Sequence, residues 1–452
     1  MNLMFDDIVD VVDKKFWGII NDLRVHESKT LRLPALTKLS QDLKSLKYFP
    51  SLPHSVKESD KGLGVARQIP IFNLNDYSVY YYCVRRIEYV ISKNRVPGTY
   101  GGWSMGGKIR KMEEGDGPED EYSMTYSYNP AAWSKYYGDF NAKLYAKILE
   151  LRDQGKGNYL VFELDIANFY DNIQLDILEK KIRQDADYKE SGVLDLLMYF
   201  LSHSNRLVNR YQTRTVGIPQ DAFGDCSRLL SNYYLQDYDL FMSNVAERYD
   251  ATYLRYADDQ VLFVPDDQAG RDLLQIASRR LARLGLNINQ KKVELRTLDE
   301  LYTYRSFDIF DLFVTDGAKD NKDKVNEFAK LSYATIDRNA DNIKGQGYPL
   351  IKRLISANFN LLTPARRTRF IAYIFDDSFM LSCNYYTMKT VYSRMRDEEK
   401  LDFLSSLETL VLNRKHSSFH YEVLAFYRSQ GMDTSTVESR ISDLRKEIYE
   451  IV

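Results

Sequence analysis

Cysteine is scarce in this 452-residue chain, and long apolar runs are absent. The three cysteines, Cys83, Cys226 and Cys383, lie far apart with no Cys-x-x-Cys pair. That excludes a disulfide framework and a cysteine-bound zinc. No apolar stretch approaches a membrane span, so no membrane partner is expected. A large excess of charge of one sign is missing too. The net charge of −2 gives no global field to attract nucleic acid, so any such binding must come from local patches. The N-terminus, MNLMFDDIVDVVDKKFW, is acidic and amphipathic, unlike a signal peptide, and a reducing cytoplasm is the expected location. There is no internal repeat and no long low-complexity tract.

What is present describes a soluble globular protein of two or three domains, 44% hydrophobic and 28% charged. Tyrosine is abundant at 35 residues, most of them for packing, although aromatic faces also stack on bases. The first 60 residues read as helical. Residues 68–72 read as a strand and 76–92 as a helix. Residues 94–122 are rich in glycine and acid, and EEGDGPEDE within them reads as a solvated loop. Helices are expected over 141–151, 176–203, 227–238 and 272–284, and strands over 159–166 and 302–314. Strands interleaved with helices indicate α+β up to residue 314. Beyond 315 strand signals nearly vanish. Thr363-Pro364 reads as an N-cap with proline at the first helical position, and Ser435-x-x-Glu438 as a capping box. The expected organisation is therefore an α+β domain over 1–314 and an all-α domain over 315–452.

Two stretches carry chemistry. Residues 253–263 read YLRYADDQVLF, two acids between strand-like flanks, which predicts a hairpin with Ala257-Asp258-Asp259-Gln260 at its tip. Carboxylates ~4 Å apart repel by about 4 kcal/mol at an effective dielectric near 20. Such a pair shares a proton or gathers a cation. Oxygen ligands with few histidines nearby suit Mg²⁺ or Mn²⁺. Taken alone, Asp-Asp is most often a solvated turn. The second stretch, Leu160-Val-Phe-Glu-Leu-Asp165-Ile-Ala-Asn-Phe-Tyr170-Asp171-Asn-Ile, ends a strand in an acid, with an aromatic five residues later. One carboxylate on one strand and two on an adjacent hairpin can hold two metal ions, which stabilise both the attacking and leaving oxygens of an in-line phosphoryl displacement.

In this combination the chain resembles the palm of reverse transcriptases. YADD matches their hairpin motif and DIANFYDNI their first acidic motif. Gly217-Ile-Pro-Gln220 resembles the segment between them, Leu284-Gly-Leu-Asn-Ile-Asn-Gln-Lys-Lys292 the following lysine motif, and Lys61-Gly-Leu-Gly-Val-Ala-Arg67-Gln-Ile-Pro70 the fingers hairpin. The resemblance implies right-hand polymerase fingers and palm over the α+β part. It implies Asp165, Asp258 and Asp259 as catalytic metal ligands for two Mg²⁺ or Mn²⁺ ions, with Asp259 acting less directly. It implies dNTP substrates, clamped at the triphosphate by Lys61 and Arg67 and lined by Gln220. Tyr170 falls at the gate against a ribose 2′-hydroxyl. Lys292, or its neighbour Lys291, would protonate or position pyrophosphate.

Departures narrow the type. Asp221 replaces the glycine usual after Gly-Ile-Pro-Gln, and the next serine, Ser227, comes about two residues late. Tyr304-Arg-Ser-Phe-Asp-Ile-Phe stands where a Phe-Leu-Gly-Tyr primer grip is usual, and no endonuclease signature follows. With a helical tail replacing a thumb, the chain resembles the abortive-infection reverse transcriptases of bacterial phage defence, prophage-encoded type. That implies untemplated synthesis of single-stranded DNA, a protein hydroxyl as primer and hence product attached to the protein, and homo-oligomers. A conventional templated reverse transcriptase of retron or mobile-intron type is the alternative. A cyclic-dinucleotide synthase would show Gly-Gly-acidic-acidic-Phe instead, and a silent nucleic-acid scaffold would not need the acids.

The tail has one feature of its own. Residues 342–375 hold no acid and six bases: Lys344, Lys352, Arg353, Arg366, Arg367 and Arg369. With interspersed aromatics they read as a face for single-stranded product or as a solvated helix face. His416 and His420, four apart with no third ligand in sight, read as a surface or core pair.

Overall fold

The computed structural model describes residues 5, 8–11, 16–17, 32–62, 65–92, 95–102, 105, 132–186, 188–204, 213–220, 225–339 and 343–450. EEGDGPEDE and Asp221 fall outside them. The chain divides into two compact units, one of Met1–Ser55 with Ile69–Leu298, the other of Val56–Gln68 with Asp299–Val452.

The first unit is built on a five-stranded sheet in the order β3-β5-β6-β4-β7. Its strands are β3 (Thr99–Tyr100), β4 (Leu160–Asp165), β5 (Thr252–Tyr256), β6 (Asp259–Val264) and β7 (Glu294–Thr297). Only the β3–β5 pair is parallel. β6 lies between β5 and β4, and Gln260 through Val264 are all buried, which is why Val261 through Val264 read as an unbroken apolar run. The Asp267–Ala282 helix packs on β4 and β6. Gly270 permits it, because a Cβ there would sit 2.0 Å from Cε2 of Phe162 on β4.

The Leu74–Ile91 helix packs against Ser191–His203 and Asp225–Arg248. At its first turn Asp76 is buried and accepts four bonds, from Tyr48 Oη (2.8 Å), Ser51 N (3.1 Å), Ser51 Oγ (2.9 Å) and Asn73 Nδ2 (3.0 Å). Burial outweighs these donors and pushes its carboxyl up to about 6. The helix expected over 176–203 is two, Leu175–Asp185 and Ser191–His203, separated by a 3₁₀ turn.

Among its described residues the second unit is helical but for one strand pair, β1 (Ser55–Gly62) and β2 (Val65–Ile71), of which Val56–Gln68 belongs to this unit. The expected helix over the first 60 residues thus gives way to β1, a polar strand, SVKESDKG, with no apolar alternation to announce it. The strand expected over 302–314 is also corrected. Leu298–Tyr304 and Phe307–Phe310 are helices and Asp311–Phe313 is a 3₁₀ turn. Phe307, Ile309 and Phe313 are buried along them, and Phe313 stacks on Phe328 with centroids 4.2 Å apart. Because Ile309 and Phe313 share the core of Val325, Phe328 and Leu354, the units part at Leu298/Asp299, not at 314/315. Thr363 does stand at the N-cap of Pro364–Ile374. At Ser435–Glu450 the cap lies earlier than expected, with Ser435 N donating to Asp433 Oδ1 at 3.0 Å.

A carboxylate cluster on two neighbouring strands

β4 and β6 run antiparallel with Asp165 directly opposite Asp259. Directly opposed residues share a sheet face, so the pairing sets two carboxylates side by side. A slip of one residue would send them to opposite faces. The hairpin turn is tighter than expected, two residues rather than four. Tyr256 pairs with Asp259, leaving only Ala257 and Asp258 in the turn. Ala257 adopts φ +55°, and Ile166 N donates to Asp258 O at 3.3 Å.

Ligand oxygens of Asp165, Asp258 and Asp259 all lie within 4.8 Å of one another. Asp165 is buried, Asp258 half-buried and Asp259 exposed. Burial, then the charges of Asp259 and Asp165, push the Asp258 carboxyl up to about 6. An all-oxygen set of crowded carboxylates fits hard divalent cations. Lys292 Nζ lies 3.0 Å from Asp165 Oδ2, and Asn289 Nδ2 donates to the same oxygen at 3.2 Å. Burial lowers the Lys292 ammonium, but Asp165, Asp258 and Asp259 more than reverse this and hold it above its ordinary value. The segment that brings these groups is stitched alongside β4, with Ala167 N donating to Asn287 O (2.8 Å) and Asn289 N to Asp165 O (2.8 Å). Lys291 is exposed beside them.

Tyr170 and Gln220 are brought onto neighbouring segments. Tyr170 lies in the short Phe169–Asn172 helix, half-buried, and its carbonyl accepts from Ile218 N at 2.9 Å. Gly217 N donates to Ile173 O at 2.7 Å, and Gly217 has φ +91° with Asp171 O 3.1 Å from where a Cβ would stand. Only glycine meets both demands. Gln220 is half-buried two residues beyond Ile218.

Lys61 and Arg67 are on β1 and β2 in the second unit. Arg67 is exposed, and the Lys61 side chain lies outside the described residues.

The basic stretch does not form one unpaired face. Arg367 is buried and holds Glu399 with both terminal nitrogens, Nη1 and Nη2. Arg369 pairs with Asp337, bonds Tyr373 Oη at 2.8 Å and covers the Tyr333 ring at 4.8 Å. Arg366 Nη1 donates to Asn326 Oδ1 at 3.2 Å and Lys352 Nζ to Ser382 O at 2.7 Å. Burial lowers Lys352 and Arg353 from their ordinary values. The stretch lacks acids in sequence, yet the fold supplies them from 337 and 399. His420 is buried with its two ring nitrogens against the carbonyls of His416 (3.1 Å) and Val411 (2.8 Å), a core position.

Sequence reasoning gave no role to Asn289 or to Arg255. Asn289 had a signal, its place in the matched lysine motif. Arg255 had one as well, a charge within an apolar strand.

A five-stranded sheet with helices packed on it and three acids at one strand pair defines the palm of a nucleotidyltransferase. Residues 126–337, a little under half of the chain, match the family model described as reverse transcriptase (RNA-dependent DNA polymerase). The chain therefore carries a reverse transcriptase domain. No curated protein matches it. Among solved structures, a telomerase from Candida albicans in complex with a fragment of telomeric RNA is similar at 12% identity and TM-score 0.39. The match covers 80% of this chain and 63% of that one. No helix among the described residues is long and apolar enough to cross a membrane.

Proposed function

We propose that this protein is a DNA polymerase of the reverse transcriptase family that makes single-stranded DNA from dNTPs without a template, primed by one of its own hydroxyls, in bacterial defence against phage. The observation that carries the polymerase reading is the convergence of Asp165, Asp258 and Asp259, with ligand oxygens within 4.8 Å. Two Mg²⁺ or Mn²⁺ ions bound there supply charge neutralisation at the attacking and leaving oxygens. The protein's part is positional. Asp165 is fixed by its strand and by Asn289. Tyr170 excludes a 2′-hydroxyl, and Gln220 lines the sugar and base. For Lys61 and Arg67 the role of neutralising the triphosphate rests on the sequence resemblance alone. Lys292 Nζ holds a proton for the departing pyrophosphate.

The untemplated, protein-primed reading rests on sequence departures, Asp221 for glycine and the missing primer grip, together with the helical tail. The same resemblance supports a homo-oligomer, and the acidic, amphipathic N-terminal sequence supports a cytoplasmic site of action.

The test is purified protein with Mg²⁺ and labelled dNTPs, no added nucleic acid, beside Asp258→Ala/Asp259→Ala. Long labelled chains that shift with protease, absent from the control, support the proposal. Synthesis only with added primer and RNA template returns the protein to conventional reverse transcription.

A further inference from the structure

Arg255 is among the largest fully buried side chains of the palm unit and lies outside the carboxylate cluster. Its guanidinium makes four bonds: Nε to Asp239 Oδ1 (2.7 Å), Nη2 to Asp239 Oδ2 (2.5 Å), Nη1 to Asn232 Oδ1 (2.9 Å) and Nη1 to Ala257 O (2.6 Å). Asp239 and Asn232 lie on one face of the Asp225–Arg248 helix, two turns apart. Asp239 also accepts from Tyr253 Oη (2.9 Å), and Asn232 Nδ2 donates to Gly102 O (2.9 Å). Three bonds thus tie the guanidinium to two residues of this helix, and the fourth reaches the turn residue. Ala257 stands at φ +55°, a region disfavoured for a residue with a Cβ. Asp258 follows it directly. A buried ion pair contributes little to stability compared with apolar side chains of the same shape. Its place beneath the acidic turn therefore points to a geometric task.

We propose that the buried Arg255–Asp239 pair is a positioning device. By holding the Ala257 carbonyl it fixes the left-handed turn, and so sets Asp258 and Asp259 at their spacing from Asp165. This rests on reading the three carboxylates as metal ligands. Arginine is required because its planar fork reaches all three acceptors at once, whereas a lysine ammonium bonds Asp239 without also spanning Asn232 and Ala257. Arg255 touches no substrate, since it is wholly buried.

The test uses the full-length protein as Arg255→Lys and as Arg255→Met/Asp239→Leu, each with and without Ala257→Gly. Mn²⁺ binding is followed by the paramagnetic signal of free Mn²⁺, beside thermal unfolding and the metal KM and kcat of dNTP incorporation. Folded variants are expected to bind Mn²⁺ roughly tenfold or more weakly, with a matching rise in metal KM. Ala257→Gly, for which φ +55° is unstrained, restores most of the loss. Wild-type Mn²⁺ affinity in a folded variant overturns the proposal. So does a loss that glycine does not relieve, or unfolding of both variants whatever stands at 257, because the pair is then simply core. A wild-type protein that binds no Mn²⁺ removes the metal reading itself, and this inference with it.

Discussion

Asp258 sits between two demands, the proposed metal site that would want it ionised and two neighbouring carboxylates that do not. Its carboxyl is pushed up to about 6 by burial and by Asp259 and Asp165. Asp258→Asn should remove turnover by roughly three orders of magnitude, since a metal's charge neutralisation amounts to several kcal/mol. The same change relieves like-charge repulsion, so the melting temperature should stay level or rise in metal-free buffer. A parallel fall in both would mean the residue serves the fold. Asp76 poses a separate problem of ionisation far from any chemistry. Its folded value, about 6, lies above the ordinary carboxyl value near 4. The folded state therefore binds the extra proton. The stabilising contribution is full below pH 4 and is lost as pH rises through 6. Two units correspond to about 3 kcal/mol. Asp76→Asn should flatten the fall in melting temperature between pH 4.5 and 7; an unchanged slope would place the titration elsewhere.

Elements with a strong local pattern were legible in the sequence. β4, β5 and β6 announced themselves by apolar and aromatic composition, and the acids at their ends by their company. The site's three carboxylates were legible for the same reason, because each sits in its own local motif. Elements whose pattern is set by distant partners were not legible. β1 is polar throughout. The aromatics of 302–314 alternate like a strand but bury Phe307, Ile309 and Phe313 on short helices. The bonds from Asn289 to Asp165 and from Arg255 to Asp239 and Asn232 depend on tertiary approach and leave only a polar residue as trace. The fate of Arg367 shows the same limit, since its partner Glu399 lies 32 residues away. Helix-on-sheet contact gives a test at this scale. Gly270→Ala drives a methyl into the Phe162 ring and should cost roughly 1–3 kcal/mol by overpacking. Combining it with Phe162→Leu should recover part of that in a denaturant titration; additive losses would mean the two do not meet.

At the scale of the whole chain, the helical unit is discontinuous in sequence. Glu58 N donates to Ser417 Oγ at 2.9 Å, Ser417 Oγ to Val56 O at 3.2 Å, and Lys57 pairs with Glu422 at 3.2 Å. A fragment of residues 299–452 alone should therefore unfold less cooperatively than the same fragment carrying residues 56–68 through a linker, as read by calorimetry. Identical transitions would show the strand pair to be an ornament of the helices. The sequence separation has a consequence for biosynthesis. Glu58 and Ser417 are 359 residues apart. At about 5–20 residues per second a ribosome needs roughly 20–70 s to cover that distance. For that time the nascent chain carries a two-stranded ribbon whose helical partner does not yet exist. Ribbons of two strands are marginal alone in water. The early hairpin must stay unpaired with strangers until the end of translation, and its polar sequence, SVKESDKG, poor in apolar side chains, suits a segment that has to wait.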